Sequence, residues 1–291
     1  MSNCIKIGTR GSKLALWQAN YIADLLKAAG AETEIITIET KGDKILNAPF
    51  AEIGTKGLFT EELEIKLRHH EIDIAVHSAK DMQSELSEDL MILAFTERED
   101  ASDVLVSFKK DISFTDKNLI VGTSSTRRRA IIRHHYPHIE LRDARGNLQT
   151  RMKKMEDGQF DAMILAYAGV HRMNYDEHIV QKLPLTVFTP AVGQGSIAIE
   201  SAVSLADDKK NLIRKTLNHD VTEICLLTER AFLRTLQGGC SIPVFGLART
   251  EGANVHLTGG VLSLDGKTMI RQDIRGEWKD TEKTGIALAE K

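Results

Sequence analysis

The chain has 291 residues, 42% hydrophobic and 27% charged, with a net charge of −3, the balance of a soluble globular protein with room for two or three domains. No apolar run approaches the ~20 residues a membrane-spanning helix needs, and Met1 to Lys6 lack the apolar core of a secretory leader, so the expected compartment is the cytoplasm, with no membrane partner. Cys4, Cys225 and Cys240 stand far apart without paired spacing, which argues against a disulfide framework and a zinc knuckle.

In chain order, Ile5 to Ile7 reads as a short strand. Ser12 can cap the helix that follows, in which Leu14, Trp17, Tyr21 and Leu25 keep helical spacing and which Gly30 ends. Thr33 to Thr40 alternates as a strand, and residues 41–57, with Gly42, Pro49, Gly54 and Gly57, read as a loop or lid. A helix from Thr60 to His70 leads into a buried strand, Ile72 to Val76.

The stretch 102–190 repeats this logic. Strands are expected at Leu119 to Val121, Ile139 to Leu141 and Ala162 to Ala166, with helices at Ser125 to His135 and Leu148 to Glu156, the latter ended by Gly158. Such alternation implies mostly parallel α/β sheets. Ile7-Gly8-Thr9 is echoed by Val121-Gly122-Thr123, and Asp73-Ile74-Ala75 by Asp161-Ala162-Met163. Two similar lobes with a cleft between them would produce the echo; so would chance.

Pro190 to Gly195 lacks the context of a nucleotide fingerprint and reads as a crossover or hinge between lobes. A helix from Val221 to Leu236, strands at Val244 to Ala248, Val255 to Leu262 and Thr268 to Ile274, and a final helix from Asp280 make an appended α+β module. The expected domains are 1–96 with 197–215, 102–190, and 219–291.

From Ile120 to Met155 the chain carries nine Lys/Arg against two acids, which points to a locally bound anionic ligand. Gly122-Thr123-Ser124-Ser125 sits between strand and helix, where backbone N–H groups, hydroxyls and the helix dipole suit a carboxylate or phosphate. Successive helical residues step by ~100°, so of Arg127, Arg128 and Arg129 two are expected to face inward and one to be solvated. A plain basic helix face would look the same. Arg145-Gly146-Asn147, Arg151, Arg172, and Arg10 with Ser12 also follow strand ends, where open α/β sheets bind ligands. Arginine suits carboxylates because its planar fork binds them bidentately.

His77-Ser78-Ala79-Lys80-Asp81 follows a buried strand. A carboxylate there, amid arginines, is expected to stay ionised and could stabilise a cation or shuttle protons; a surface Lys-Asp turn is the blander alternative. Cys240 follows Gly238-Gly239 past a helix end, where an accessible thiol is expected. Cys4 and Cys225 read as packing residues.

Taken together, Gly8-Thr9-Arg10, Ser12-Lys13-Leu14-Ala15, Lys56-Gly57-Leu58-Phe59, Asp73 to Ser78 with Lys80-Asp81, Gly122 to Ser125 with Arg127-Arg128, Arg145-Gly146-Asn147, Thr150-Arg151, Pro190 to Gly195 and Gly238-Gly239-Cys240 resemble the hydroxymethylbilane synthase (porphobilinogen deaminase) family over nearly the whole chain. The resemblance implies two α/β lobes like those of periplasmic binding proteins plus a small α+β domain. It implies a dipyrromethane cofactor attached as a thioether to Cys240, the substrate porphobilinogen, and a monomer whose product passes to uroporphyrinogen-III synthase.

By the same resemblance Asp81 is the catalytic carboxylate, which stabilises the cation left when ammonia departs. Lys80, Ser125, Arg127, Arg128, Arg145 and Gly146 hold the cofactor; Arg10, Ser12, Lys56, Arg151 and Arg172 hold substrate, Lys56 as part of a mobile loop. One departure stands out. Where the family usually shows a proline two residues after this aspartate, the chain has Gln83, which is expected to loosen the loop after Asp81.

Two other readings stay open from the residues alone. A non-catalytic two-lobed anion receptor explains the arginines but not the Gly-Gly-Cys loop. Nucleic-acid binding through Arg127 to Arg129 is disfavoured by the net charge and by the lack of interleaved aromatics.

Overall fold

A computed structural model describes residues 4–44, 60–238 and 242–291, which form three sheets. The first contains β1 (Cys4–Arg10), β2 (Glu32–Ile38), β3 (Ile74–Ser78) and β4 (Leu90–Phe95), with a strand from much later in the chain, β10 (Ile197–Ala202). The second contains β5 (Asp103–Val106), β6 (Ile120–Gly122), β7 (Glu140–Arg142), β8 (Ala162–Ala166) and β9 (Ile179–Lys182). The third is an antiparallel meander of β11 (Val244–Glu251), β12 (Asn254–Leu262) and β13 (Met269–Glu277).

The strand orders of the two large sheets are β2-β1-β3-β10-β4 and β7-β6-β8-β5-β9. In each, three parallel strands are followed by one antiparallel strand, β10 or β5, and then an edge strand. The sheets are thus mixed rather than purely parallel. β10 returns to the first sheet only after the chain has built the second.

The internal echo is a structural repeat. Ile7 pairs with Ile74 and Gly8 with Ala75 in one lobe; Val121 pairs with Ala162 and Gly122 with Met163 in the other. A carboxylate also starts the neighbouring strand identically in both. Asp73 Oδ2 accepts from the Lys6 N–H at 2.8 Å, and Asp161 Oδ2 accepts from the Ile120 N–H at 3.0 Å.

Each sheet buries apolar residues on both faces. Ile5, Ile7, Ile22, Leu26 and Ile199 form one core of the first lobe, and Leu63, Leu67 and Ile72 lie on its other side. Each such burial contributes ~1.5–3 kcal/mol. In the C-terminal module the helices Asp220–Thr235 and Thr281–Ala289 pack on the third sheet around Phe232, Val255, Leu257 and Leu288. The last-strand and helix expectations hold there, with β11 and β13 extending further than the sequence suggested.

The two crossovers between lobes meet one buried carboxylate of this module. Arg98 donates to Glu229 at 2.6 and 3.2 Å and to the Gln194 carbonyl at 2.8 Å, while Glu229 also accepts from the Gly193 and Ala248 N–H groups. Gly195 (φ +99°) lies so close to Glu99 that a Cβ would sit 2.4 Å from its carbonyl oxygen. The Pro190 to Gly195 segment is therefore a tightly packed crossover.

Candidate active site

β3 ends in a 3-10 turn, Ala79–Asp81. Ala79 and Met82 are buried in a core with Phe95, Ala198 and Phe232, so the two residues between them are pushed outward. Asp81 is exposed and Lys80 half-buried. Asp81 shares a pocket with Arg10, Ser12, Thr60 and Ser78. An adjoining pocket is lined by Lys80, Arg172, Gly195 and Ser196, and Ser78 and Gln18 line both. The Ser12 hydroxyl accepts from the Ala15 N–H at 3.3 Å and so caps the helix Lys13–Ala28, as its position suggested. Behind the turn, buried His77 Nε2 lies 3.1 Å from Glu200 Oε2.

The loop after Asp81 is tied down, contrary to the expectation of loosening. Met82 has φ −69° and ψ 146°, the extended geometry compatible with a following proline, so the backbone keeps that path without one. The Gln83 amide donates to Thr60 Oγ1 at 3.1 Å and Glu64 Oε1 at 2.8 Å, and its carbonyl accepts from Arg230 at 2.8 Å.

The second lobe supplies the cations. The Ser125 hydroxyl caps the helix Thr126–His135 by accepting from the Arg128 N–H at 3.4 Å. Arg127 and Arg128 are buried and Arg129 is turned outward to Asp143 at 3.1 Å, the two-in, one-out division expected of consecutive helical residues. Both inward arginines clasp fully buried Asp103, at 2.8 and 2.7 Å, and each also donates to a carbonyl, Thr189 or Ile164. Gln194 donates to Asp103 at 2.9 Å. Burial alone would raise the Asp103 pKa, but the two guanidiniums outweigh it and hold this carboxyl well below the usual range. Among the described residues the Nε of Arg127 and of Arg128 are buried without a hydrogen-bond partner.

Arg151 donates to the Gly146 carbonyl at 2.7 Å, and Gly146 itself takes φ +106°. Arg145 is half-buried. Arg172 crosses between lobes: it donates to the Gly195 carbonyl at 2.8 Å and its guanidinium lies 5.4 Å from the Trp17 ring centre. Two of the cations feel their neighbours. Burial, with Arg128 and Arg127 nearby, pushes the Lys80 pKa down to about 8 although Asp81 opposes it. Burial and Arg128 lower Arg151 to about 10, again against Asp81.

Arg10, Ser12, Lys80, Asp81 and Arg172 thus converge on two adjoining pockets, with Arg127, Arg128 and Arg151 as electrostatic neighbours of Lys80 or Asp81. Ser125, Arg145 and Gly146 line neither pocket. Lys56 and Cys240 lie outside the described residues. Cys225 is buried, with its thiol raised to about 11 by burial. The sequence reading missed Asp103, Gln194 and Glu229. Asp103 opens an apolar strand in Ser102-Asp103-Val104-Leu105-Val106, and a carboxylate so placed is the one signal that it would need buried partners.

Comparison with known proteins identifies the relatives. Residues 5–211 match the family model "Porphobilinogen deaminase, dipyromethane cofactor binding domain", and residues 223–291 match "Porphobilinogen deaminase, C-terminal domain". The chain is 55% identical to the porphobilinogen deaminase of Cytophaga hutchinsonii over 99% of its length and 93% of the relative's. It is 53% identical to that of Desulfosudis oleivorans over 91% and 86%. Among solved structures it is similar to the VFT2 domain of Bordetella pertussis BvgS, with TM-score 0.46 and 16% identity, covering 74% of this chain and 86% of that one. With both family models matched in order along it, this chain belongs to the porphobilinogen deaminase family.

Proposed function

We propose that the chain is a hydroxymethylbilane synthase in which Asp81 is the catalytic carboxylate and Cys240 the cofactor anchor. Porphobilinogen is the substrate, and dipyrromethane is the cofactor of the family domain matched. When bound, that cofactor supplies the pyrrole carbon onto which four porphobilinogen units are joined head to tail, with loss of ammonia, before hydrolysis releases hydroxymethylbilane.

The residues present suit a carboxylate-bearing group. Arg127 and Arg128 share the single carboxylate of Asp103 and keep buried Nε atoms without a partner, and the half-buried Lys80 ammonium beside them is depressed to about 8, so the site has donors to spare for an anion. In this reading Lys80, Ser125, Arg127, Arg128, Arg145 and Gly146 hold the cofactor's side chains. Arg10, Ser12, Arg151 and Arg172, with Lys56, hold the acetate and propionate of each incoming substrate and set its aminomethyl carbon near Asp81. The Asp81 carboxylate then faces the positive charge that develops as ammonia leaves, carried on a turn whose position is fixed by buried Ala79 and Met82.

The single observation that carries the reading is the Lys80–Asp81 turn. Buried Ala79 and Met82 set it among cations drawn from both lobes. The reading also takes domains 1–96 with 197–215, 102–190 and 219–291, and a cytoplasmic monomer handing its product to uroporphyrinogen-III synthase. An intact mass spectrum tests it together with turnover of porphobilinogen. Purified protein should be heavier than its sequence by two pyrrole rings, should colour with an aldehyde reagent for pyrroles, and should lose both properties in Cys240→Ala. An unmodified chain that stays inactive after reconstitution overturns the reading.

A further inference from the structure

We propose that Gln83 is a positioning residue for Asp81, a role that rests on the reading of Asp81 as the catalytic carboxylate. The turn bearing Asp81 is bounded on one side by β3. On the other side, two residues on, the chain is held by the Gln83 side chain. Its amide donates to Glu64 Oε1 at 2.8 Å and to Thr60 Oγ1 at 3.1 Å, while Thr60 Oγ1 donates to Glu64 Oε1 at 2.6 Å.

This triangle is closed and nearly dry. Thr60 is 2% and Glu64 7% exposed. The Arg68 guanidinium lies 3.7 Å from the other Glu64 oxygen. Glu64 sits on the helix Glu61–Arg68, and Thr60, at its start, lines the same pocket as Asp81. The Gln83 carbonyl accepts from Arg230, on the helix Asp220–Thr235. One residue therefore joins the Asp81 turn to a helix of the first lobe and to the helix that precedes Gly238 and Cys240.

The chemistry of the pair is specific. A buried carboxylate needs donors, and Gln83 supplies one where a hydrocarbon would leave Glu64 short. A carboxylate at position 83 would face Glu64 with like charge. With the tether broken, the turn keeps its buried Ala79 and Met82 but loses its fixed distance to the Thr60 wall. A displacement on the order of 1 Å at a reacting carboxylate costs up to ~100-fold in rate.

The test uses the cofactor-loaded protein and four forms: the parent, Gln83→Met, Gln83→Glu, and Gln83→Glu with Glu64→Gln, which exchanges amide and carboxylate across the contact. Expected are ~10-fold lower kcat for Gln83→Met and a larger loss for Gln83→Glu, with KM within ~2-fold. Both should keep the cofactor by intact mass, and the exchanged pair should recover kcat to within ~3-fold of the parent. A merely structural role would lower the unfolding midpoint and cofactor content and leave kcat per loaded molecule unchanged, which overturns the inference. So does a Gln83→Glu form as active as the parent, or an exchanged pair with no recovery. A parent that carries no pyrrole adduct and does not turn over fails at the underlying reading instead, so the two failures are distinguishable.

Discussion

The two large lobes share a backbone plan and differ in where they leave their charge. Both pair a central strand with a neighbour in the same register, and in both the aspartate just before one strand, Asp73 or Asp161, accepts from a backbone N–H of the other, Lys6 or Ile120. At the strand ends they part. The second lobe delivers Arg127 and Arg128 into the interior and locks them on Asp103. The first delivers Asp81 to an open pocket beside Arg10. In the proposed reading, a cleft that gathers many carboxylates needs cations held rigidly, and a reacting carboxylate needs access. The two features occupy different places in the repeat: Arg127 and Arg128 follow β6, the counterpart of β1, whereas Asp81 follows β3, the counterpart of β8.

The largest effect should come from breaking the locked side. Asp103→Ala strands two buried guanidiniums, and removing one partner of such a pair costs ~3–5 kcal/mol. Unfolding monitored by denaturant should show that loss. The pH dependence has a definite sign. The folded-state pKa of Asp103 lies below its ordinary value of 3.8, so its stabilisation is present above that value and fades as pH falls below it. Asp103→Asn should flatten the acid limb of the stability profile. An Asp103→Ala protein as stable as the parent would mean that the arginines do not depend on it.

Breaking the open side should spare the fold. Asp81→Asn keeps shape, removes charge from an exposed side chain, and should leave cofactor content and unfolding midpoint near the parent's. The kcat for porphobilinogen consumption should fall by ~100-fold or more, the scale of losing one charge-stabilising group. Near-normal kcat would take Asp81 out of the reaction and erase the contrast between lobes.

Lys80 sharpens the comparison because it stands between the two charge sets. With a pKa of about 8 against the ordinary 10.5, the cofactor-free chain loses this ammonium as pH rises through 8. Capture of the carboxylate-bearing cofactor by cofactor-free protein should therefore weaken several-fold between pH 7 and 9. The stability sign is opposite to that of a paired lysine. A lowered pKa penalises the folded state below pH 8, and the penalty is relieved between 8 and 10.5. In Lys80→Met the pH-dependent capture should vanish; if it persists, another group titrates.

How much of this was legible in the sequence follows from how local each signal is. The helix starts at Ser12 and Ser125 were readable because a hydroxyl one residue ahead of a helical pattern has one common use. The place of Lys80 and Asp81 at a strand's C-terminal end was readable from the apolar run before them; their outward direction, set by buried Ala79 and Met82, was not. Strand β10 was not readable. Ile197-Ala198-Ile199-Glu200-Ser201-Ala202 carries a charge, yet every residue of it is buried, and its partners β3 and β4 lie some hundred residues away. Asp103 failed for the same reason: its meaning lies in Arg127, Arg128 and Gln194, which only the folded chain brings together. The proline-to-glutamine departure at Gln83 misled because a side-chain tether cannot be read from one position.

The smallest effect is the most selective check. Arg129 follows Arg127 and Arg128 directly, and composition cannot separate the three. The helix does: a ~100° step per residue sends Arg129 away from the cleft, to Asp143, whose side chain is 62% exposed. Such surface pairs contribute ~0–1 kcal/mol, and Arg129 adds only a 3.2 Å bond to the Thr123 carbonyl at the start of the same turn. Arg129→Ala should therefore shift stability by less than ~0.5 kcal/mol and leave kcat, KM and cofactor content as in the parent. Arg127→Ala and Arg128→Ala should each lower cofactor content, because each removes a buried Nε that lacks a protein partner. If Arg129→Ala impairs cofactor retention as much as either neighbour, the basic segment acts as a diffuse field, and the orientation of individual guanidiniums is not what binds.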